Sequence, residues 1–293
     1  MFLQLLINGI SLGSVYALTA VGYSLVYSIM GLINMSNSAV FLTSSIIFYA
    51  FYHSITQGSL LLTFLLTLVS AGLLGYLIEL LAIRPIREKG DGMTYALISS
   101  IGVKTILEKA CQGAFGSEIK PFPTLLEGKY IEIGGARCAA IQVLIIAVTL
   151  VILLGMTWFT QKTKTGRGLR ALSQNLNACY LMGMPVNKMI GLGFAVGSML
   201  AAVSGVAYCM YYSSVSISIG SVVGNKAFAA TVLGGIGVLK GAVIGGYILG
   251  IAEMLTAGFI GQSYRNFVAF GILIIVLIVK PTGIFGQKEQ KKV

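Results

Sequence analysis

The sequence predicts an all-α, polytopic membrane protein, and three observations carry that prediction. Apolar residues make up 56% of the 293 residues and charged residues only 10%, against roughly 25% charged in soluble domains. Apolar runs of about 18 residues or more recur, each long enough to cross a hydrocarbon core of about 30 Å as a helix. The basic residues behind the net charge of +11 gather between those runs, which fits the positive-inside rule better than a nucleic-acid surface. The ten-residue alternation of a β-barrel wall is absent.

The first span covers about Phe2 to Met30, where Gly9, Gly13, Ala17 and Gly22 would let another helix approach closely. Its start lacks the basic region and cleavage site of a signal peptide, so it is expected to remain as a span. A polar knot, Asn34-Met35-Ser36-Asn37-Ser38, precedes a second run from Ala39 to about Tyr52. The knot is either a turn capped by Asn and Ser or an unwound segment at membrane depth, tolerable only where it lines a cavity or is buried in protein. The third span, about Leu60 to Ile83, should stop at Arg84-Pro85-Ile86-Arg87-Glu88-Lys89-Gly90-Asp91-Gly92, where charge, proline and glycine coincide.

A fourth span, about Met93 to Phe115, leads to a longer polar stretch through Arg137. There Glu118, Glu127 and Glu132 balance Lys120 and Lys129, as expected of an outer loop. The fifth span runs from about Ala139 to Phe159 and the sixth from about Met189 to Tyr212, with Gly193, Gly197, Ala201 and Gly205 forming one packing face. From Lys226 to Glu253 the chain is glycine-rich. A short piece, about Ala227 to Leu233, is either a re-entrant helix or a half-span continued after a break at Gly234-Gly235. Helices over about Gly241 to Phe259 and Asn266 to Val279 complete about eight spans, with a ninth crossing at the broken segment. Gly241 with Gly245, and Gly246 with Gly250, have the spacing of tight helix packing; a gating hinge is the alternative.

The basic clusters are Arg84, Arg87 and Lys89; Lys162, Lys164, Arg167, Arg170 and Lys188; and Lys280, Lys288, Lys291 and Lys292. All three sites should be cytoplasmic. Cys111, Cys138, Cys179 and Cys209 show no metal-ligand spacing and His53 is the sole histidine, which argues against a metal site, a Cys/His catalytic pair or an enzyme. A Cys111–Cys138 disulfide competes with two free buried thiols. Within spans, Glu79 should pair locally with Arg84 or snorkel to the inner interface, and Lys104 and Glu108, one turn apart, can neutralise each other. Glu253 has no partner evident from the sequence and is either a functional carboxylate or an interhelical hydrogen-bonding group.

The longest polar interruption, residues 162–188, holds five of the twenty basic residues. Leu169, Leu172, Leu176 and Tyr180 fall on one helical stripe, Gly183 stands where a C-terminal cap would, and Pro185 bars continuation. A single amphipathic helix of about four turns is expected, either lying on the bilayer or displayed for another protein to grip.

Here the sequence resembles the membrane permeases of branched-chain amino-acid ABC importers, on the side of their heterodimeric pair that lacks a long N-terminal extension. The matching stretches are GISLGSVYALTAVGYSLVYSIMGLIN (Gly9 to Asn34), RPIR (Arg84 to Arg87), LISSIGVKTIL (Leu97 to Leu107), TGRGLRALSQNLNACYLMGMPV (Thr165 to Val186) and KAFAATVLGGIGVLKGAVIGGYILGIAE (Lys226 to Glu253). The resemblance implies a single transmembrane permease domain over residues 1–293, in the cytoplasmic (inner) membrane of a bacterium or archaeon. It implies that residues 162–188 form a cytoplasmic coupling loop whose helix, Arg167, Arg170, Ala171, Leu172, Gln174, Asn175, Leu176, Ala178, Met182 and Gly183, docks on a separate ATPase subunit.

ATP and Mg would sit on that ATPase, since this chain has no G-x-x-x-x-G-K-[ST] phosphate loop and no cofactor of its own is expected. A second permease, identical or homologous, and an extracytoplasmic solute-binding protein are the other implied partners, beside the lipid bilayer; nucleic acid is not. Relatives commonly show Asn-Phe-Ala-His-Gly and then an acid where this chain has Asn34 to Ala39, so the amino-acid assignment is weakened at the knot. Asn34, Ser36 and Asn37, with Asn8, Tyr16, Ser99, Ser100 and Glu253, are the candidate solute path. The expected function is inward movement of a small polar solute, a branched-chain or related amino acid, by alternating access. A stand-alone secondary transporter or channel is the competing class.

Overall fold

The computed structural model describes residues 2–56, 59–89, 93–124, 128–133 and 136–286. Gly90, Asp91, Gly92, Glu127 and the tail lysines Lys288, Lys291 and Lys292, read above as helix stops and loop charges, lie outside the described residues, as does the side chain of Glu132.

The chain is helical almost throughout: α1 (Phe2–Met30), α2 (Asn37–Ser54), α3 (Leu60–Ile78), α4 (Arg84–Glu88), α5 (Met93–Phe115), α6 (Ala140–Lys162), α7 (Lys164–Gln174), α8 (Leu176–Leu181), α9 (Val186–Tyr212), α10 (Ser218–Gly234), α11 (Leu239–Phe259) and α12 (Arg265–Val279). Among the described residues, two small antiparallel pairings complete it. β1 (Lys120–Pro121) pairs with β4 (Ser214–Val215), and β2 (Tyr130–Ile133) with β3 (Ala136–Ala139). Among the described residues, six helical stretches are long and apolar enough to cross a membrane: 2–30, 60–88, 140–162, 186–212, 239–259 and 262–279. The helices α2, α5 and α10, which complete the sequence-based count of eight spans and a ninth crossing, fall outside that set.

The core forms around α1, which is buried from Gly9 almost continuously to Val26. Its small residues work as spaced. A side chain at Gly250 would strike the Gly13 backbone, one at Gly246 the Ala17 backbone, and one at Gly9 the Cα of Ile251. Such contact places α11 backbone to backbone on α1. The α9 face predicted from Gly193, Gly197, Ala201 and Gly205 packs on Ile29 and Gly22 of α1 and on Phe41 and Ser45 of α2.

Two expectations are corrected, and one open alternative is decided. The third span does not stop at Arg84: a π-helical turn, Glu79–Ile83, carries it into α4. Arg84 N–H bonds back to the Glu79 carbonyl, five residues away. This wider turn gives Pro85, which lacks an N–H, a place inside a continuing helix. Second, the short glycine-rich piece begins nine residues earlier than expected, at Ser218, so α10 has 17 residues. It is not continued as a half-span. The chain reverses at Gly235 and Gly237, whose φ values are +108° and +84°, and α11 packs back along α10 with Gly245 against the Ala230 carbonyl and Gly241 against Gly234. Of the two alternatives for Cys111 and Cys138, the disulfide does not form: all four cysteines are buried and none is disulfide-bonded.

Candidate coupling surface and solute path

The segment 162–188 opens on Thr163, whose Oγ1 accepts a hydrogen bond from Gly166 N at 3.0 Å and donates one to the Phe159 carbonyl at 2.7 Å. That cap turns the chain from α6 into α7. Leu169 and Leu172 are buried and seat α7 on the bundle. The single helix of four turns is not what forms. At Asn175 the backbone is extended, and its side-chain oxygen accepts from Ala178 N at 3.0 Å, starting α8 afresh. Asparagine competes with helical continuation in this way. Gly183, at φ +72°, ends α8 as predicted, with Met184 N bonded to the Cys179 carbonyl.

The break divides the predicted stripe. Leu169 and Leu172 are buried, Leu176 and Ala171 are half-buried, and Tyr180 is exposed. Arg167, Arg170, Gln174, Asn175, Ala178, Met182 and Gly183 face outward. The tip is apolar: Leu181 is 89% exposed and Met182 82%. Leu181 and the buried anchor Cys179 were not among the residues read from the sequence, since neither belongs to the stripe drawn through Leu169, Leu172, Leu176 and Tyr180.

A polar clamp holds the base of this segment. Buried Glu79 pairs with Arg84 at 2.8 Å and Arg87 at 3.1 Å. Arg87 Nη2 donates to Asn187 Oδ1 at 2.7 Å, Tyr180 Oη donates to the same oxygen at 3.1 Å, and Asn187 Nδ2 donates to Glu88 at 2.8 Å. One asparagine thus joins α4, α8 and α9. The Glu79–Arg84 pair was legible from spacing; Asn187, some hundred residues away, was not.

The candidate path residues fall into separate places. At the knot, Asn34, Ser36, Asn37 and Ser38 are all buried. Asn34 Oδ1 accepts from Ser36 N at 3.2 Å and Ser36 Oγ at 2.6 Å, and Ser100 Oγ accepts from Met35 N at 3.2 Å. The Asn37 amide lies 3.3 Å from where a Gly22 side chain would start, eight residues or about 12 Å back along α1 from Met30. Asn34 to Ser36 are therefore a buried turn between α1 and α2 tucked into the bundle, and Asn37 and Ser38 already belong to α2. Asn37 Nδ2 has no hydrogen-bond partner there. Ser99 points elsewhere, to the Ala82 carbonyl at 3.0 Å, and Asn8 accepts from Gln142 at 2.9 Å at the far end of α1.

Tyr16 and Glu253 do meet: the phenol donates to Glu253 Oε2 at 2.8 Å. Glu253 is not unpartnered. Lys226 Nζ lies 2.7 Å and Arg265 Nε 3.2 Å from its Oε1. Lys226 was missed because α10 was read as starting after it, and Arg265 because it sits at the head of α12. Lys104 and Glu108 stand 3.9 Å apart as their spacing suggests. An apolar cleft of about 320 Å³ involves Leu18, Phe64, Ile145 and Met210, and another of about 380 Å³ involves Leu153, Val243, Tyr247 and Lys240. Linings so apolar suit hydrocarbon better than a polar solute.

Apolar helices of membrane-crossing length, wrapped on a buried α1 and bearing a displayed helical loop, fit a multi-pass membrane protein. Residues 5–277 match the family described as "Branched-chain amino acid transport system / permease component", and the chain belongs to that family. It is 38% identical to the high-affinity branched-chain amino acid transport system permease protein BraD of Pseudomonas aeruginosa, across the whole chain and 98% of the relative. The same identity and coverage hold for LivH of Escherichia coli. A probable LivH permease of Methanocaldococcus jannaschii is 26% identical over 73% of this chain and 71% of its own.

Proposed function

We propose that this chain is the membrane subunit of an ATP-driven importer that carries a branched-chain or related amino acid inward by alternating access. It would work in the inner membrane beside a second permease, with an external binding protein delivering solute and ATPase subunits hydrolysing ATP with Mg. The observation that carries the proposal is the displayed α7–α8 segment, braced at its base on a chain that matches branched-chain amino-acid permeases from end to end. The segment and the C-terminal tail then face the cytoplasm, in keeping with their basic residues.

Arg167, Arg170, Gln174, Asn175, Ala178, Met182 and Gly183, with Leu181, would touch the ATPase, while Ala171, Leu172 and Leu176 tie the segment to the bundle. A stiff, well-anchored helix pair transmits rigid-body motion, one of the recurring forms of domain switching. Along the path, solute would pass the Tyr16–Glu253 cluster and the Asn34, Ser36, Asn37 and Ser100 knot; Asn8 and Ser99 would serve as positioning groups. Weak binding on this path suits a carrier whose selectivity resides in the delivering protein.

The test is co-purification and uptake. An ATPase subunit that stays with the wild-type chain and is lost on combining Arg170→Glu with Met182→Asp supports the proposal. Gradient-driven uptake of leucine by this chain alone in liposomes, without ATP, overturns it in favour of a stand-alone transporter.

A further inference from the structure

We propose that the cluster around Glu253 is a carboxylate-binding subsite, in which Arg265, with Tyr212 beside it, takes the α-carboxylate of an amino acid crossing the permease. This rests on the amino-acid reading above and adds to it the part of the solute recognised and the residue that does so.

The argument begins with charge. Glu253 faces both Lys226 and Arg265, and among the described residues neither cation has another carboxylate within ion-pair distance. One negative group against two positive ones leaves a net positive charge inside a membrane-embedded bundle, where uncompensated charge is costly and a functional role is the default reading. The two cations are not equivalent. Lys226 is spent: its ammonium sits 2.7 Å from Glu253 with its side chain 7% exposed. Arg265 is not. Its Nε is buried and pairs with Glu253 at 3.2 Å but outside hydrogen-bond geometry, and its Nη2 reaches Tyr212 Oη at a long 3.4 Å and the weak acceptor Met254 Sδ at 3.5 Å. A guanidinium whose donors are only weakly engaged offers the planar fork that binds a carboxylate through two parallel hydrogen bonds.

Access agrees. Side-chain exposure rises from 2% at Glu253 to 18% at Arg265, and Tyr212 next to it is exposed. The cluster therefore opens on the Arg265 side, at the end of the bundle opposite α7 and α8, where a delivered solute would arrive. Arg265 is also the first residue of α12, whose N-terminal dipole adds to the attraction for an anion. The rings of Tyr208, Tyr211 and Tyr212, packed with centroids 4.6 Å and 4.9 Å apart, supply an apolar surface beside the charge for a branched side chain. Glu253, held by Lys226 and Tyr16, keeps the two cations from repelling each other and fixes where Arg265 points.

The experiment uses the purified permease–ATPase complex, without binding protein for the melting measurements and with the binding protein supplied for uptake, and four probes: L-leucine, 4-methylpentanoate (carboxylate, no amine), leucinamide (carboxylate capped) and 3-methylbutylamine (no carboxylate). The first two are expected to raise the melting temperature and the last two to leave it unchanged. Arg265→Gln should abolish that carboxylate-dependent shift and cut leucine uptake in proteoliposomes at least tenfold, with ATPase still bound; Arg265→Lys should keep part of both. If Arg265→Gln does not assemble, Arg265→Lys decides, since a shift as large as the wild type's would overturn the subsite. A shift that survives in Arg265→Gln, or four probes that act alike, overturns it too. Leucine uptake by the wild-type complex with no shift sinks the subsite alone, whereas no amino-acid uptake at all sinks the amino-acid reading and the subsite together.

Discussion

Lys226 and Glu253 meet across the Gly235 reversal, Nζ to Oε1 at 2.7 Å, and so fasten α10 to α11 inside the bundle. Removing either partner has unequal consequences, because Arg265 and Tyr16 also hold Glu253. In Lys226→Met the carboxylate keeps two partners. In Glu253→Gln two cations lose their only counter-charge among the described residues. Breaking a buried pair from that side costs about 3–5 kcal/mol. The Glu253→Gln protein should therefore lose more than twice the stability lost by Lys226→Met, measured as detergent-solubilised unfolding. Equal losses would contradict the charge count.

Glycines in the α1–α11–α10 seam should tolerate no side chain, whereas lipid-facing ones should. At Gly245 a methyl group would press on the Ala230 carbonyl, and at Gly250 on the Gly13 backbone; neither neighbour can rotate away. Gly102 of α5 has open space. We expect Gly245→Ala and Gly250→Ala to lower folded yield sharply, while Gly102→Ala is neutral or stabilising by up to about 1 kcal/mol from helix propensity alone. Fluorescence-detected size exclusion of the three variants checks this.

Asn37→Leu should separate stability from transport. The Asn37 Nδ2 is a buried donor without an acceptor, and an unmet donor costs about 1–3 kcal/mol. Leucine of similar volume removes that cost, so the melting temperature should rise. If the knot lies on the solute path, uptake should fall in the same protein; uptake at the wild-type level would remove Asn37 from the path.

Asn187→Ala should weaken transmission without preventing assembly. It deletes the shared acceptor of Arg87 and Tyr180 and the donor to Glu88, while Leu169 and Leu172 still seat α7. The expected result is ATPase binding near normal and uptake reduced several-fold. Asn175→Ala should instead fray the start of α8, with a loss of about 1 kcal/mol from the missing cap, visible as faster hydrogen exchange over residues 176–181.

How much of this was legible depended on range. Spacing along one helix gave the α9 packing face, the Glu79–Arg84 and Lys104–Glu108 pairs and the Gly183 cap, because each is a local relation at helical period. The division of the α7–α8 stripe was not legible, since apolar periodicity continues through Asn175 while the side-chain cap that breaks the helix depends on one hydrogen bond. Partners such as Lys226 and Arg265 for Glu253, or Asn187 for Arg87, require knowing which helices lie side by side. Composition and periodicity are silent on that point. The start of α10 was missed for a related reason: Ser218 to Asn225 mixes small, polar and apolar residues without a periodic stripe, and it becomes helix where Gly220 and Gly224 let it press against α2.

The π-helical turn at Glu79–Ile83 has a further consequence. One extra residue in a helix turns everything beyond it by about 100° relative to an uninterrupted α-helix. Arg84 and Arg87 reach Glu79 and Asn187 with that offset built in. Deleting one residue from this turn would keep every side chain of the clamp yet swing α4 about a quarter-turn away from α9. At this point it is the length of the chain, counted in single residues, that aims the clamp.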